Sequence, residues 1–413
     1  MIETGGFNNM KEKMNNRFIN LQGGLFTKVT KADVGENAGH LMQQGYTFMS
    51  WADPFFPDPS IPDSVKKAMI EEIESGFPAH YTMPMGDRKL REVIAQRLHK
   101  RYQIKLDPSR NILITPGSDS GLLYAMMPFL KEGDEVLIPD PSYPSNFLNA
   151  KLCGAKDVHV PLYPENGYQF DIKEFEKRLT PNTKMVVITH PNNPTGTVFN
   201  KKSIEELCHF IIKNDLILVC DQAFEDHIYD NREMIAPMCI EGMFERTITT
   251  FSISKGLGLS GFRVGYIVAN DELMDVYYGG TVNVLGATNT LAQKAAIVAL
   301  EDESILKDYH ERLLRRRDLV YDILSSIPHV KAIKPESGIL SWIDVSKLGT
   351  SAEVASYLLD HAHISVNEGT PYGEQGEGYL RIVHACFLND DDAVEALQRL
   401  KDCLIQLGKE KNI

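Results

Sequence analysis

The sequence predicts an α/β fold: a large domain whose mostly parallel sheet carries helices on both faces, and a smaller α+β unit. Three observations carry that expectation. From Ser64 to Phe251, short apolar runs of strand length alternate with amphipathic helical segments. The 413 residues exceed a single domain of ~100–200, and 43% of them are hydrophobic, enough for a sizeable core. Beyond Ile305 the alternation gives way to a long helical stretch and then a second unit, with no internal repeat and no low-complexity linker between them.

Taken in order, the N-terminal stretch to about residue 45 is rich in Asn, Lys, Met and Gly and reads as an arm with little core of its own. Val65–Glu74 and Arg88–Arg101 have apolar residues at i, i+3, i+4 spacing and read as helices. Asn111–Thr115 is an apolar strand leading through Pro-Gly-Ser into a helix at Ser120–Leu130. The pattern continues as strand Glu135–Ile138, helix Tyr143–Leu152, strand Val158–Pro161 and helix Ile172–Leu179. Strand Met185–Thr189, helix Ile204–Lys213, and strands Leu216–Cys220 and Thr247–Phe251 follow, with Arg263 opening one more strand. The second unit holds a long helix near Ile305–Ser325, strand Ser341–Val345, a helix from Ala352 and strand Tyr379–His384.

Composition removes several classes. The formal charge of −13, from 43 Lys and Arg against 56 Asp and Glu, argues against a nucleic-acid binder that works by neutralising phosphates. No apolar run approaches the ~20 residues of a membrane span, and Met1–Asn20 lacks a signal-peptide pattern. The six cysteines never fall at metal-ligand or C-x-x-C spacing, so they read as reduced residues of a cytoplasmic protein, with no metal site.

Four segments carry chemistry. Lys255, in Ser252-Ile253-Ser254-Lys255, follows an apolar strand, where partial desolvation favours a neutral, nucleophilic amine. Arg263 lies eight residues on, and with the two hydroxyls it makes an anion site; taken alone, the pair reads equally as a solvated lysine and a surface arginine. Thr115-Pro116-Gly117-Ser118-Asp119 turns from strand to helix, offering free backbone N–H groups to a phosphate, or a simple helix cap. His190-Pro191-Asn192-Asn193-Pro194-Thr195-Gly196 is a rigid turn that either is structural or fixes Asn193 at the C-terminal edge of the sheet. Asp221 ends a buried strand and needs a partner, a cationic ring nitrogen or an ordinary salt bridge.

Together with Pro-Ser-Tyr143-Pro and Asp221-x-Ala-Phe, in this order and at these intervals, the segments resemble the class I/II aminotransferases, fold-type I enzymes dependent on pyridoxal 5′-phosphate. The resemblance runs from about Phe48 to the C-terminus and implies a seven-stranded-type sheet. It further implies that Lys255 holds the cofactor as a Schiff base and acts as acid and base, and that Asp221 pairs with the pyridinium nitrogen. Asn193 would donate to the phenolic oxygen, and Tyr143 would stack on the ring. Ser118, Asp119, Ser252, Ser254 and Arg263 would take the phosphate. Tyr81 would reach the neighbouring subunit's phosphate, so a homodimer with a shared site is implied. Arg381 in Tyr379-Leu380-Arg381-Ile382 would grip the substrate α-carboxylate, as a guanidinium fork suits that group.

The chain departs from the family at three places. Phe224 stands where many relatives have Tyr, Ala52-Asp53-Pro54 stands for Gly-Glu-Pro at a substrate-binding position, and Val282–Asn289 lacks a second arginine for a side-chain carboxylate. The expected division is an N-terminal arm and part of the small domain over 1–55, a cofactor domain over 56–305 and a small domain over 306–413. The expected reaction moves an amino group between an L-amino acid and a 2-oxo acid by a ping-pong cycle. A lyase or synthase of C–S or cyclopropane-forming type shares the same motifs and stays open.

Overall fold

The computed structural model describes residues 14–19 and 38–413. The expected N-terminal arm lies largely outside the described residues. Among the described residues the first strand is Thr47–Phe48 (β1). The large sheet then takes Ile112–Thr115 (β2), Glu135–Asp140 (β3), Lys156–Pro161 (β4), Thr183–Thr189 (β5), Ile217–Asp221 (β6), Thr247–Ser252 (β7) and Gly265–Val268 (β8). These seven strands are ordered β2-β8-β7-β6-β5-β3-β4. All neighbours are parallel except β8, which runs antiparallel to both β2 and β7.

The sequence writes this sheet as near-continuous apolar runs because helices cover both faces. Met185–Ile188 in β5 and Leu218–Cys220 in β6 are fully buried, and so are Ile112–Ile114 in β2. The antiparallel β8 has a consequence for function. Its first residue, Gly265, registers with the last residues of β2 and β7, Thr115 and Ser252. Asp221 registers with Thr189 of β5 and Thr250 of β7. The turns after β2, β5, β6 and β7 and the turn before β8 therefore gather at one edge of the sheet, where open α/β sheets bind ligands.

A second sheet holds Lys331–Ala332 (β9), Leu340–Asp344 (β10), Asn367–Glu368 (β12) and Tyr379–Val383 (β13), antiparallel in the order β12-β13-β10-β9. Ile364–Ser365 (β11) pairs instead with β1, so the N-terminal stretch joins this unit. Helices Glu303–Ser325, Ser351–Ala362 and Asp390–Glu410 pack with it. Thr350 and Glu353 close a capping box on the second of these, satisfying donors that the first turn leaves unpaired. The last helix starts on Asp390-Asp391-Asp392, three acids favoured by the helix dipole. It was not read from the sequence, and neither were the helices at Asp271–Val284 and Thr290–Glu301.

Two boundaries differ in ways that bear on the site. The helix expected at Ser120–Leu130 spans Ser118–Met126, so Ser118 and Asp119 lie in its first turn. Arg263 does not open a strand: it ends the 3₁₀ turn Ser260–Phe262 with φ 52°, two residues before β8. Among the described residues no helix is long and apolar enough to cross a membrane.

Candidate active site

One pocket at the sheet edge is lined by Ala52, Ser118, Asp119, Tyr143, Asn193, Asp221, Ala223, Phe224, Ser252, Ser254, Lys255, Arg263 and Arg381. It brings together every candidate site residue of the sequence except Tyr81, which stands on the surface, 94% exposed. Residues from across the chain meet here because the strand register described above brings their turns together.

The anion end is built by the turn after β2. Gly117 is the N-cap of the helix Ser118–Met126 and offers no side-chain cap, which leaves first-turn N–H groups without an intrahelical partner. The start of β8 packs directly on this turn. A Cβ on Gly265 would lie 2.6 Å from the Ser118 nitrogen, so only glycine allows the approach. The Arg263 Nη2 lies 4.0 Å from Asp119, and its Nη1 donates to the Ser260 carbonyl at 3.1 Å. The Ser252 Oγ accepts from the Ser254 amide at 3.1 Å, which shapes the turn leading to Lys255. Tyr143 is the N-cap of helix Pro144–Leu152, and its hydroxyl donates to Asp119 at 2.8 Å, fixing the ring at the pocket wall.

Asp221 is buried at the end of β6, with a hydrogen bond from the Ala223 amide at 3.1 Å and a long one from the Thr250 hydroxyl at 3.5 Å. Burial and then the nearby Asp119 push its carboxyl up to about 7. The site thus holds a carboxyl that sits near neutrality despite the pull of Lys255, and that a further cation in the pocket would keep ionised. Asn193 is buried beside it, and its Oδ1 accepts from Arg381 Nη1 at 3.3 Å. Since a guanidinium can only donate, the Asn193 side-chain NH₂ is left as a donor.

The Lys255 amine donates to the Ala52 carbonyl, which ties the segment before Phe55 to the lysine. Phe55 itself is a core residue, packed on the Tyr309 ring at 4.7 Å, so this segment is pinned at that end. Arg381 is fully buried in β13 and held in a fixed pose. Its Nε and Nη2 donate to Asn367 Oδ1 at 3.0 and 2.6 Å, Nη2 also donates to the Ser50 carbonyl at 2.9 Å, and the Tyr372 ring lies 5.0 Å from the guanidinium carbon. The sequence reading missed Asn367, Ser50 and Tyr372. None stands in a recognisable motif: Asn367 reaches the site by pairing with Arg381 across β12 and β13, Ser50 follows β1, and Tyr372 sits on the loop between β12 and β13.

Comparison with known proteins agrees with this geometry. Residues 51–400 match the family model for aminotransferase class I and II. The aspartate aminotransferase of Pyrococcus abyssi is 33% identical over 361 residues, 86% of this chain and 91% of that protein. The aromatic-amino-acid aminotransferase 2 of Thermococcus litoralis is 32% identical, over 86% of this chain and 91% of its own. Among solved structures, the aromatic aminotransferase from Pyrococcus horikoshii superposes with a TM-score of 0.82 at 30% identity, covering 91% of this chain and 99% of that one. These relatives do not favour the lyase or synthase alternative that the motifs left open.

Proposed function

We propose, starting from the fact that this chain belongs to the aminotransferase class I and II family and is an aminotransferase, that it holds pyridoxal 5′-phosphate at Lys255 and uses Arg381 to seat an amino-acid substrate. The convergence of an amine, a buried carboxylate, an amide donor, an anion turn and a buried guanidinium in one pocket is the observation that carries this reading. The residues fit the cofactor: Asp221 is a buried acid in need of a cationic N–H, and the N–H groups at Ser118 and Asp119 with Arg263 suit a phosphate.

Pyridoxal phosphate, when bound, supplies an aldehyde carbon that takes up the amino group and a ring that accepts the electron pair released at the substrate Cα. The protein does the rest. The Lys255 Nζ, which donates to the Ala52 carbonyl, would hold the cofactor and, as a free amine, would carry the proton from the substrate Cα to the aldehyde carbon. Asp221 in its ionised form would hold a ring N–H, and Asn193, whose Oδ1 accepts from Arg381, would donate from its side-chain NH₂. Arg381, already fixed by Asn367 and Ser50, orients the α-carboxylate without reorganising. The 2-oxo acid formed leaves before a second oxo acid enters, giving a ping-pong cycle between an L-amino acid and a 2-oxo acid.

The exposed Tyr81, with the exposed apolar Phe77 and Met83 beside it, supports a homodimer in which Tyr81 reaches the partner's site. A division at 1–55, 56–305 and 306–413 accords with a cofactor sheet and a second sheet joined by both chain ends. The free cysteines, four of them buried, support a reducing cytoplasm.

Borohydride treatment of the loaded protein followed by intact mass measurement tests the central assignment. The cofactor's mass is expected to stay covalently attached to the wild type and to be lost in Lys255→Ala. A reducible adduct retained by that variant would overturn the role of Lys255. Incubation with single amino acids and no oxo acid is expected to give one equivalent of 2-oxo acid, and continuous ammonia release would overturn transfer.

A further inference from the structure

Asp140, the last residue of β3, is 1% exposed and is not part of the pocket. Its carboxylate crosses to the other sheet's loops. Oδ2 accepts from the Glu374 amide at 2.8 Å and Oδ1 from the Gln375 amide at 3.1 Å. On the other side His159 Nδ1 stands 2.7 Å from Oδ2, while its Nε2 stands 3.1 Å from Asp157. The hydrogen bonds to Asp140 and then Asp157 raise the imidazole to about 9, so His159 is a cation at neutral pH and pairs with both acids. The ring is further fixed by stacking on Phe147 at 4.4 Å.

The loop that Asp140 holds leads to the carboxylate clamp. Its ends, Gly369 and Gly376, press backbone to backbone so closely that a side chain at either would clash, which makes 369–376 a compact unit. Gly373, at φ 126°, brings the loop directly onto the Asp140 carboxylate, where a Cβ would collide with it. The same loop carries Tyr372, whose carbonyl accepts from the Ser142 amide at 2.8 Å and whose buried ring lies against the Arg381 guanidinium. The segment Asp140-Pro-Ser-Tyr143 is thus bonded on one side to the loop that braces Arg381, and on the other it presents Tyr143 to the pocket.

We propose that Asp140, backed by His159, is a positioning residue for substrate binding: by holding the 369–376 loop it keeps the Tyr372 ring under Arg381 and so sets the pose of the carboxylate clamp. This rests on the reading of Arg381 as that clamp. A carboxylate suits the task because two convergent N–H groups and an imidazolium need an acceptor-only partner, and a charged acceptor binds each more strongly than a neutral one. Asparagine keeps the shape but turns an NH₂ toward one of those donors.

The test uses the loaded enzyme in single-turnover half-reactions, with L-alanine against ethylamine and L-phenylalanine against 2-phenylethylamine. Each amine keeps its amino acid's side chain and lacks the carboxylate. In Asp140→Asn the half-saturating concentration of the amino acids is expected to rise about tenfold with the limiting rate within about threefold, while the amine reactions stay within about twofold of wild type. A general loosening of the fold would slow acids and amines alike, and that outcome, or no change in either, overturns the proposal. Arg381→Leu separates the two layers of the argument: if it leaves the preference for acid over amine intact, the clamp reading itself fails, whatever Asp140→Asn does. Should Asp140→Asn not fold, His159→Gln keeps the carboxylate and removes its cation; a selective rise of about threefold for the amino acids supports the proposal, and an equal effect on the amines overturns it.

Discussion

Asp221 and Asp226 lie five residues apart, carry side chains largely shut away from solvent, and have opposite acidities. Burial and then Asp119 push Asp221 up to about 7, whereas Asp226, despite its burial, is held down to about 2 by Arg97 and then Arg101. The difference lies in what each carboxylate faces. Asp226 turns toward the helix Arg88–Tyr102, where both arginines bond its Oδ1, and Arg101 also pairs with Glu225 at 3.0 Å. Asp221 faces the pocket, with an amide and a hydroxyl as its hydrogen-bond donors. A complete ion cluster is scaffold, and a buried acid short of a cation marks the place where a ligand completes the charge balance.

If this contrast is right, removing each carboxylate has a different effect. The largest is expected from Asp226→Asn, which leaves two largely buried guanidinium groups short of charge. It should cost about 3–5 kcal/mol of stability, measured by urea unfolding, with or without cofactor. A loss under about 1 kcal/mol would mean that the cluster is not the scaffold described here. Next, Asp221→Asn should leave the fold intact and lower the turnover of the loaded enzyme by about 10²–10³, the range for losing one preorganised electrostatic partner. Activity within a factor of about three of wild type would remove Asp221 from the mechanism.

The smallest effect sharpens the comparison most. The folded acidity of Asp221 lies above its unfolded value of 3.8, so between about pH 4 and 7 the folded chain binds a proton that the unfolded chain has lost. This group's contribution to stability therefore falls as pH rises through that window. Without cofactor, Asp221→Asn is expected to match wild type near pH 4 and to become progressively more stable than it as pH rises to 8, read from melting curves across pH. An equal difference at both pH values would show that charge burial is not its origin.

Much of the large sheet was legible because helices bury it on both faces, and continuous apolar runs such as Met185–Ile188 follow directly from that. The helix Asp390–Glu410 was not read, although its three leading acids are a local start signal. The site was legible where chemistry sits on a strand end or a tight turn, as with Asp221, Asn193 and Ser252–Lys255. It was not legible where function depends on contact across the chain. Arg97 meets Asp226 from 129 residues away, and Asn367 reaches Arg381 only through the pairing of two strands.

By itself, then, the sequence determined the alternation of strands and helices, the identity of the residues that can do chemistry, and the family they resemble. Periodicity and turn chemistry are local, and local interactions are written in neighbouring residues. Only the tertiary structure decided which carboxylate is paired and which is open, which side chains brace Arg381, and how Asp140 links the two sheets. Those are balances of burial and charge between distant segments, and they have no value until the fold has brought the partners together.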